Sequence, residues 1–172
     1  MQLLLNKHYY LYNRNMTREE KYMMEAIALS KKAIENNEGG PFGCIIVKNN
    51  EIIGRGNNKV IIENDPTAHA EVVAIRDACK NLGTFQLDGC EIYTSCEPCP
   101  MCLGAIYWAR PKIVYYANTR DDAAAIGFDD SMIYNEFGVN TDSRKIPLIN
   151  LCRKDAFTVF ESWADKDDKT LY

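Results

Sequence analysis

The sequence is short of basic charge, of histidine and of long apolar runs. Twenty Lys and Arg stand against 24 Asp and Glu, for a net charge of -4. A chain that grips a nucleic-acid backbone shows a basic excess or a basic stripe. Neither is present, so a small-molecule substrate is expected and a nucleic-acid partner is not. No apolar run approaches the roughly 20 residues of a membrane-spanning helix. The opening M-Q-L-L-L-N-K has three consecutive apolar residues, short of the core of a secretory signal. No membrane partner is expected. Internal repeats and long linkers are also missing, so nothing divides the chain into modules.

What is present is an ordinary globular mix, 47% hydrophobic and 26% charged over 172 residues, enough for one domain with a sizeable core. Cysteine is the exception, with seven residues. An odd number excludes a complete intramolecular disulfide framework. The expected location is a reducing cytoplasm, where clustered cysteines bind metal or do chemistry.

Residues 1–15 show no clear period. Thr17-Arg18-Glu19-Glu20 is a T-x-x-E capping box, and apolar residues at helical spacing predict an amphipathic helix from Thr17 to about Asn36. Met16 stands directly before that cap and is the expected natural start, with residues 1–15 an appendage and 16–172 a single domain. His8, in the appendage, reads as a surface residue. Phe42 to Val47 and Glu51 to about Asn57 read as a β-hairpin turning at Asn49-Asn50. Asp65 and Pro66 are expected to cap and open a second helix, and Glu97 and Pro98 a third. Strands are expected at Glu91–Ser95, at Lys112–Ala117 and at Ile146–Leu151. A short helix is expected near Asp121–Ile126, and a C-terminal one near Arg153–Asp165. Strands alternating with helices from residue 90 onward imply an α/β layer protein.

The chemistry gathers at two of the expected helix starts. His69 lies at one; Cys99 and Cys102, three apart on one helix face, lie at the other. A helix N-terminus favours thiolates. One imidazole and two thiolates make three zinc ligands, and a catalytic zinc keeps its fourth position open for water. Glu71, two residues after His69, can move a proton to or from such a water without binding the metal. Each element alone has a plainer reading. Cys-x-x-Cys can be a redox pair, and Glu71 a solvated helix residue. A structural zinc would need Cys96 or Cys90 as a fourth ligand and would leave Glu71 without a role. Taken together, His69-Ala70-Glu71 and Pro98-Cys99-Pro100-Met101-Cys102 match the H-x-E and P-C-x-x-C signature of zinc nucleobase deaminases. Cys44, Cys79, Cys90 and Cys152 read as small core residues.

On these segments the chain resembles the cytidine-deaminase-like superfamily, and within it the bacterial guanine deaminases. Gly40-Pro41-Phe42-Gly43, Asn64 to Glu71, Thr94 to Cys102, Ala105 to Arg110 and Gly127-Phe128-Asp129-Asp130-Ser131 carry the resemblance, which spans about residue 16 to the terminus. The H-A-E and E-P-C-x-M-C segments are shared with tRNA adenosine deaminases. The S-C-E-P-C-P-M-C wording, Tyr107-Trp108 and G-F-D-D-S favour the guanine enzymes. The resemblance implies an αβα sandwich around a five-stranded mixed sheet and one Zn2+ per subunit. It also implies hydrolysis of guanine, a small purine base, to xanthine and ammonia. The alternatives are adenosine in tRNA, another purine or pterin, or a cytosine compound. By the same resemblance Glu71 delivers protons to the ring and to the departing amine. Asn58 hydrogen-bonds the purine, and Asp130 faces its amino side; read alone, these two are a turn residue and a loop acid. Phe42 and Trp108 would wall the base, although core aromatics look the same in sequence. The C-terminal segment, ending at Tyr172, would close the active site and be exchanged between the subunits of a homodimer.

Overall fold

A computed structural model describes residues 16–171; the expectations for 1–15, His8 among them, and for Tyr172 lie outside the described residues. The chain divides into two compact units, one running to Thr119 and the other Arg120–Tyr172.

The first unit opens with α1, Arg18–Glu35. Its capping box forms as expected: Glu20 N donates to Thr17 Oγ1 at 3.2 Å, and Thr17 N donates to Glu20 Oε2 at 2.9 Å. Then come β1 (Gly43–Lys48) and β2 (Glu51–Asn57). They are joined by Asn49 and Asn50, both at positive φ, as a tight hairpin requires. A short α2, Val60–Glu63, which sequence reasoning missed, leads to α3, Ala70–Leu82. Strand β3 (Glu91–Cys96), helix α4 (Pro100–Ala109) and strand β4 (Ile113–Asn118) complete the unit.

The sheet order is β2-β1-β3-β4. β1 pairs antiparallel with β2 and β3, while β3 and β4 run parallel across the α4 crossover. Strand alternation sorts the core into two faces. Cys44, Ile46 and Ile92 pack with Ala70, Ala74, Ala78, Ile106 and Ala109 of α3 and α4. Ile45, Val47 and Tyr93 pack with Ala26 of α1 on the other face. Helices on both sides of a mixed sheet match the expected class, but among the described residues the sheet has four strands, not five. Residues 146–151, the expected fifth strand, are irregular and exposed. Pro147 removes a ladder donor there, and Leu148 N turns back to Thr141 O at 3.1 Å.

Both helix starts beside the chemistry lie later than expected. Asp65 does not cap α3. Its Oδ1 accepts from Thr67 N at 2.8 Å and Thr67 Oγ1 at 2.7 Å, a local turn that competes with the helix. Ala68 N closes that turn on Asp65 O at 3.1 Å, and His69, in extended backbone, is the N-cap (φ -71°, ψ 154°). Glu97 likewise does not cap α4; its N–H donates to Asn118 O at 2.8 Å. A residue before proline is driven to extended backbone, so Cys99 ahead of Pro100 becomes the N-cap (φ -63°, ψ 167°) and Pro100 is the first helical residue.

In the second unit, α5 (Arg120–Ala125), α6 (Ser131–Phe137) and α7 (Arg153–Ala164) are joined by irregular chain. Helix α6 falls in what reads from sequence as an acidic loop. Cys152, expected in a core, is exposed at the N-cap of α7.

Gly54 and Gly56 let α3 lie directly on β2. A Cβ at Gly54 would come within 2.6 Å of Ala74 O and 2.7 Å of Ala78 Cβ. Gly54→Ala should therefore lower stability by about 1–3 kcal/mol, the usual cost of overpacking. The urea midpoint measures this, and an unchanged midpoint would show that α3 can shift without loss.

Candidate metal and proton-transfer site

The parallel pair β3–β4 delivers the chain to the start of α4 at the carboxyl end of β3, where α/β folds place their ligands. Cys99 is the N-cap of α4, and Cys102 lies in its first turn. His69, N-cap of α3, meets them there. His69 Nδ1 is 3.5 Å from Cys99 Sγ and 3.6 Å from Cys102 Sγ. The three donor atoms lie within 4.8 Å of one another. Tetrahedral zinc, with bonds of about 2.05 Å to nitrogen and about 2.3 Å to sulfur, sets such atoms about 3.6 Å apart. The donor set and its spacing therefore fit zinc, with three protein ligands and one open position. Cys96 and Cys90 stay out of this group. Cys96 Sγ is 3.5 Å from Thr119 O, and Cys90 is in the core. All seven cysteines are free, so Cys99 and Cys102 do not form a disulfide.

The electrostatics favour a cation at this point. Cys102 and then His69 hydrogen-bond to Cys99 and bring its thiol down to about 4. Cys102, beside that thiolate and buried, is held protonated. The hydrogen bond to Cys99 also raises His69. An anionic Cys99 thiolate thus draws protons from Cys102 and His69, and a zinc ion replaces those protons when it binds.

Glu71, in the first turn of α3, is 5% exposed and reaches the same point. Its Oε1 accepts from Thr94 Oγ1 at 3.0 Å, and its Oε2 accepts from Cys102 Sγ at 3.4 Å. Burial raises its pKa. A buried carboxyl that holds its proton more tightly, next to a metal position, is suited to passing a proton back and forth. Thr94 was missed from sequence. The signal available was its alternation with Ile92 on β3, which turns it toward α3.

Asn58 follows β2 and is 4% exposed. Its Oδ1 accepts from Gly40 N and from Val60 N, each at 3.2 Å, and its N–H donates to Phe42 O at 2.9 Å. Phe42 is partly buried against the α3–α4 face of the core. Trp108 is 65% exposed on α4 beside Tyr107. Asp130, in the second unit, is the N-cap of α6. It lines a small polar cavity with Arg120, Asp129 and Tyr134. Tyr172 lies outside the described residues.

A profile described as the zinc-binding region of cytidine and deoxycytidylate deaminases matches residues 16–118. A guanine deaminase of Bacillus subtilis (strain 168) is 51% identical over 153 residues, covering 89% of this chain and 98% of that protein. The X-ray structure of guanine deaminase from Bacillus subtilis superposes with a TM-score of 0.87 over 89% of this chain and 98% of its own. A structure of guanine deaminase from Nitrosomonas europaea gives 0.62 at 34% identity over 68% of each chain. The tRNA-specific adenosine deaminase of Bacillus subtilis is 48% identical over 103 residues, 59% of this chain and 63% of that protein. The chain belongs to the cytidine and deoxycytidylate deaminase zinc-binding family, and within it shares nearly the whole length of a guanine deaminase.

Proposed function

We propose that this protein is a zinc-dependent guanine aminohydrolase that converts guanine and water to xanthine and ammonia. The extent of the similarity carries this reading. The match to guanine deaminase spans 153 residues, so it continues well past the zinc-binding region and into the second unit. The match to the tRNA-specific enzyme of Bacillus subtilis is shorter, 103 residues at 48% identity, and tRNA-specific relatives with longer matches are less similar, 36% over 130 residues. The acidic balance supports the same choice, because a tRNA-binding protein needs a basic surface.

Bound zinc supplies the Lewis acidity that brings a water molecule toward a pKa of about 7. His69, Cys99 and Cys102 hold it and leave one position open. Glu71 takes a proton from the attacking water and gives it to the purine ring nitrogen beside C2. A second proton passes by the same carboxyl to the departing amine. Thr94 fixes Oε1 of the carboxyl during these transfers, and Oε2, which faces Cys102, exchanges the protons. Asn58 donates from Nδ2 to an acceptor on the purine, and Phe42 walls the base. Asp130 accepts a hydrogen bond from the amino side. Trp108 and Tyr172 complete the enclosure, in a single functional domain of residues 16–172 whose C-terminal segment covers the site.

That covering is proposed to be exchanged between the subunits of a homodimer. The exposed Tyr107 and Trp108 on α4, and Phe157, Phe160 and Trp163 on α7, support an apolar partner surface. No helix among the described residues is long and apolar enough to cross a membrane. Seven free thiols support a reducing, cytoplasmic location.

Zinc-loaded protein should turn over guanine in the guanine-to-xanthine absorbance assay. An ammonia-release panel with guanosine, a pterin, cytosine and a tRNA anticodon stem-loop sets the substrate class, and an inactive guanine beside another active substrate would overturn the choice. Glu71→Ala should keep its zinc and its fold while turnover falls by about 10²–10⁴-fold; full turnover in that variant would refute the proton-transfer role. Truncation after Asp168 should lower guanine turnover by about tenfold or more through loss of the cover, and unchanged turnover would remove the C-terminal segment from the site.

A further inference from the structure

The stretch 36–40, between α1 and β1, has no part in the chemistry above, yet its polar contacts converge on Asn57 and Asn58. The Glu38 carboxylate accepts from Asn36 Nδ2 at 2.9 Å and from Asn57 Nδ2 in a short hydrogen bond. The Glu38 backbone is tied at both ends, donating to Ala33 O at 2.9 Å and accepting from Ile62 N at 3.2 Å. Asn57 Nδ2 also donates to Asn58 O at 3.3 Å. The next residue, Gly39, lies against Asn58 so closely that a Cβ there would overlap Asn58 Oδ1 and come within 2.8 Å of Asn58 O. The following N–H, of Gly40, is one of the two that hold that Oδ1.

The arrangement fixes one side chain completely. The two N–H donors of Gly40 and Val60 define which end of the Asn58 amide is oxygen. Its Nδ2 has no hydrogen-bond partner among the described residues and is the end left to meet a ligand. Glu38 stays ionised to low pH because Asn36 and Asn57 donate to it, so its hold on Asn57 persists across the working range of a neutral enzyme. The backbone of Gly39 is not at positive φ. Its lack of a side chain serves the close approach alone.

We propose that Glu38 and Gly39 are positioning residues for purine recognition. Glu38 clamps Asn57, the bare Cα of Gly39 admits the Asn58 amide, and together they present Asn58 Nδ2 as a fixed donor. The inference rests on the reading of Asn58 as a purine-binding residue. Neither residue touches the substrate. Both act by sparing the complex the cost of ordering that amide when guanine binds.

The test compares Asn58→Ala, Gly39→Ala, Glu38→Ala, Glu38→Gln and the double variant Gly39→Ala/Asn58→Ala. Zinc content, melting temperature, kcat and KM for guanine are measured on each. Asn58→Ala should raise KM by about tenfold or more, the effect of one lost ligand hydrogen bond. Gly39→Ala should raise it comparably with zinc retained. The double variant should be no worse than Asn58→Ala alone, because both changes remove the same interaction. Glu38→Ala should raise KM, and Glu38→Gln, which keeps an acceptor for Asn57, should restore most of the loss. If Asn58→Ala weakens guanine use while Gly39→Ala and Glu38→Ala behave as the parent, the positioning role is wrong and the reading of Asn58 stands. If Asn58→Ala itself behaves as the parent, the reading of Asn58 fails. Multiplying effects in the double variant would also overturn the proposal. Should Gly39→Ala not fold, the Glu38 pair decides, since equal KM values for Glu38→Ala and the parent contradict the clamp.

Discussion

Two helix N-termini meet at the end of one strand, and the rest of the site depends on that meeting. An N-cap residue has extended backbone and projects its side chain across the mouth of its helix. His69 and Cys99 are both N-caps. That places an imidazole and a thiol 3.5 Å apart without any loop having to reach inward. Cys102 then adds a second thiol from the first turn of α4. The positive ends of both helices favour thiolate at this point. The charge at Cys99 is set further by its neighbours, since Cys102 and His69 hydrogen-bond to its sulfur. The packing behind it is correspondingly tight: Gly54 and Gly56 on β2 face Ala70, Ala74 and Ala78 on α3, so the helix that carries His69 and Glu71 is seated on backbone and methyl groups rather than on flexible side chains.

Burial decides how Glu71 works. A carboxyl in water stays ionised at neutral pH and returns protons poorly to a weak base. Here the side chain is 5% exposed, and removal from water raises its pKa. Thr94 opposes that trend by donating to one oxygen. The two effects act on different atoms: the hydroxyl pins the orientation, and the low-dielectric surroundings set the affinity for a proton. The second oxygen, Oε2, faces the metal position through its contact with Cys102 Sγ at 3.4 Å.

What was legible in the sequence was local. His69, Glu71, Cys99 and Cys102 announce themselves because their chemistry depends on spacings of two and three residues on a helix start. The capping box at Thr17 and the Asn49-Asn50 hairpin were legible for the same reason. The helix starts were misplaced, by four residues at α3 and by two at α4, because two local preferences compete there. Asp65 prefers to close its own turn on Thr67, and Pro100 forces Cys99 to remain extended. Thr94, Glu38 and Gly39 were not legible at all. Thr94 meets a residue 23 positions away, and Glu38 one 19 positions away; such pairings follow from strand register and helix placement, which no short window contains. The absent fifth strand is an error of the opposite kind: residues 146–151 have strand-forming composition, but Pro147 breaks the ladder that composition alone suggested.

The two units differ in how much they bury. The first holds the candidate zinc ligands, Glu71 and a core on both sheet faces, and it contains the region that matches the cytidine and deoxycytidylate deaminase family. The second has almost no interior. Among its described residues only Ala123 is buried, while Ile146, Ile149 and Leu151 are 79%, 85% and 80% exposed. Ordering one residue costs about 1–2 kcal/mol of backbone entropy. A segment with one buried alanine cannot offset that across some fifty residues by its own contacts. Its apolar side chains must be covered against another surface for its helices to persist. The similarity to guanine deaminase extends into this segment at 51% identity over 153 residues. The segment with the least interior of its own is also the one that lies outside the matched zinc-binding region.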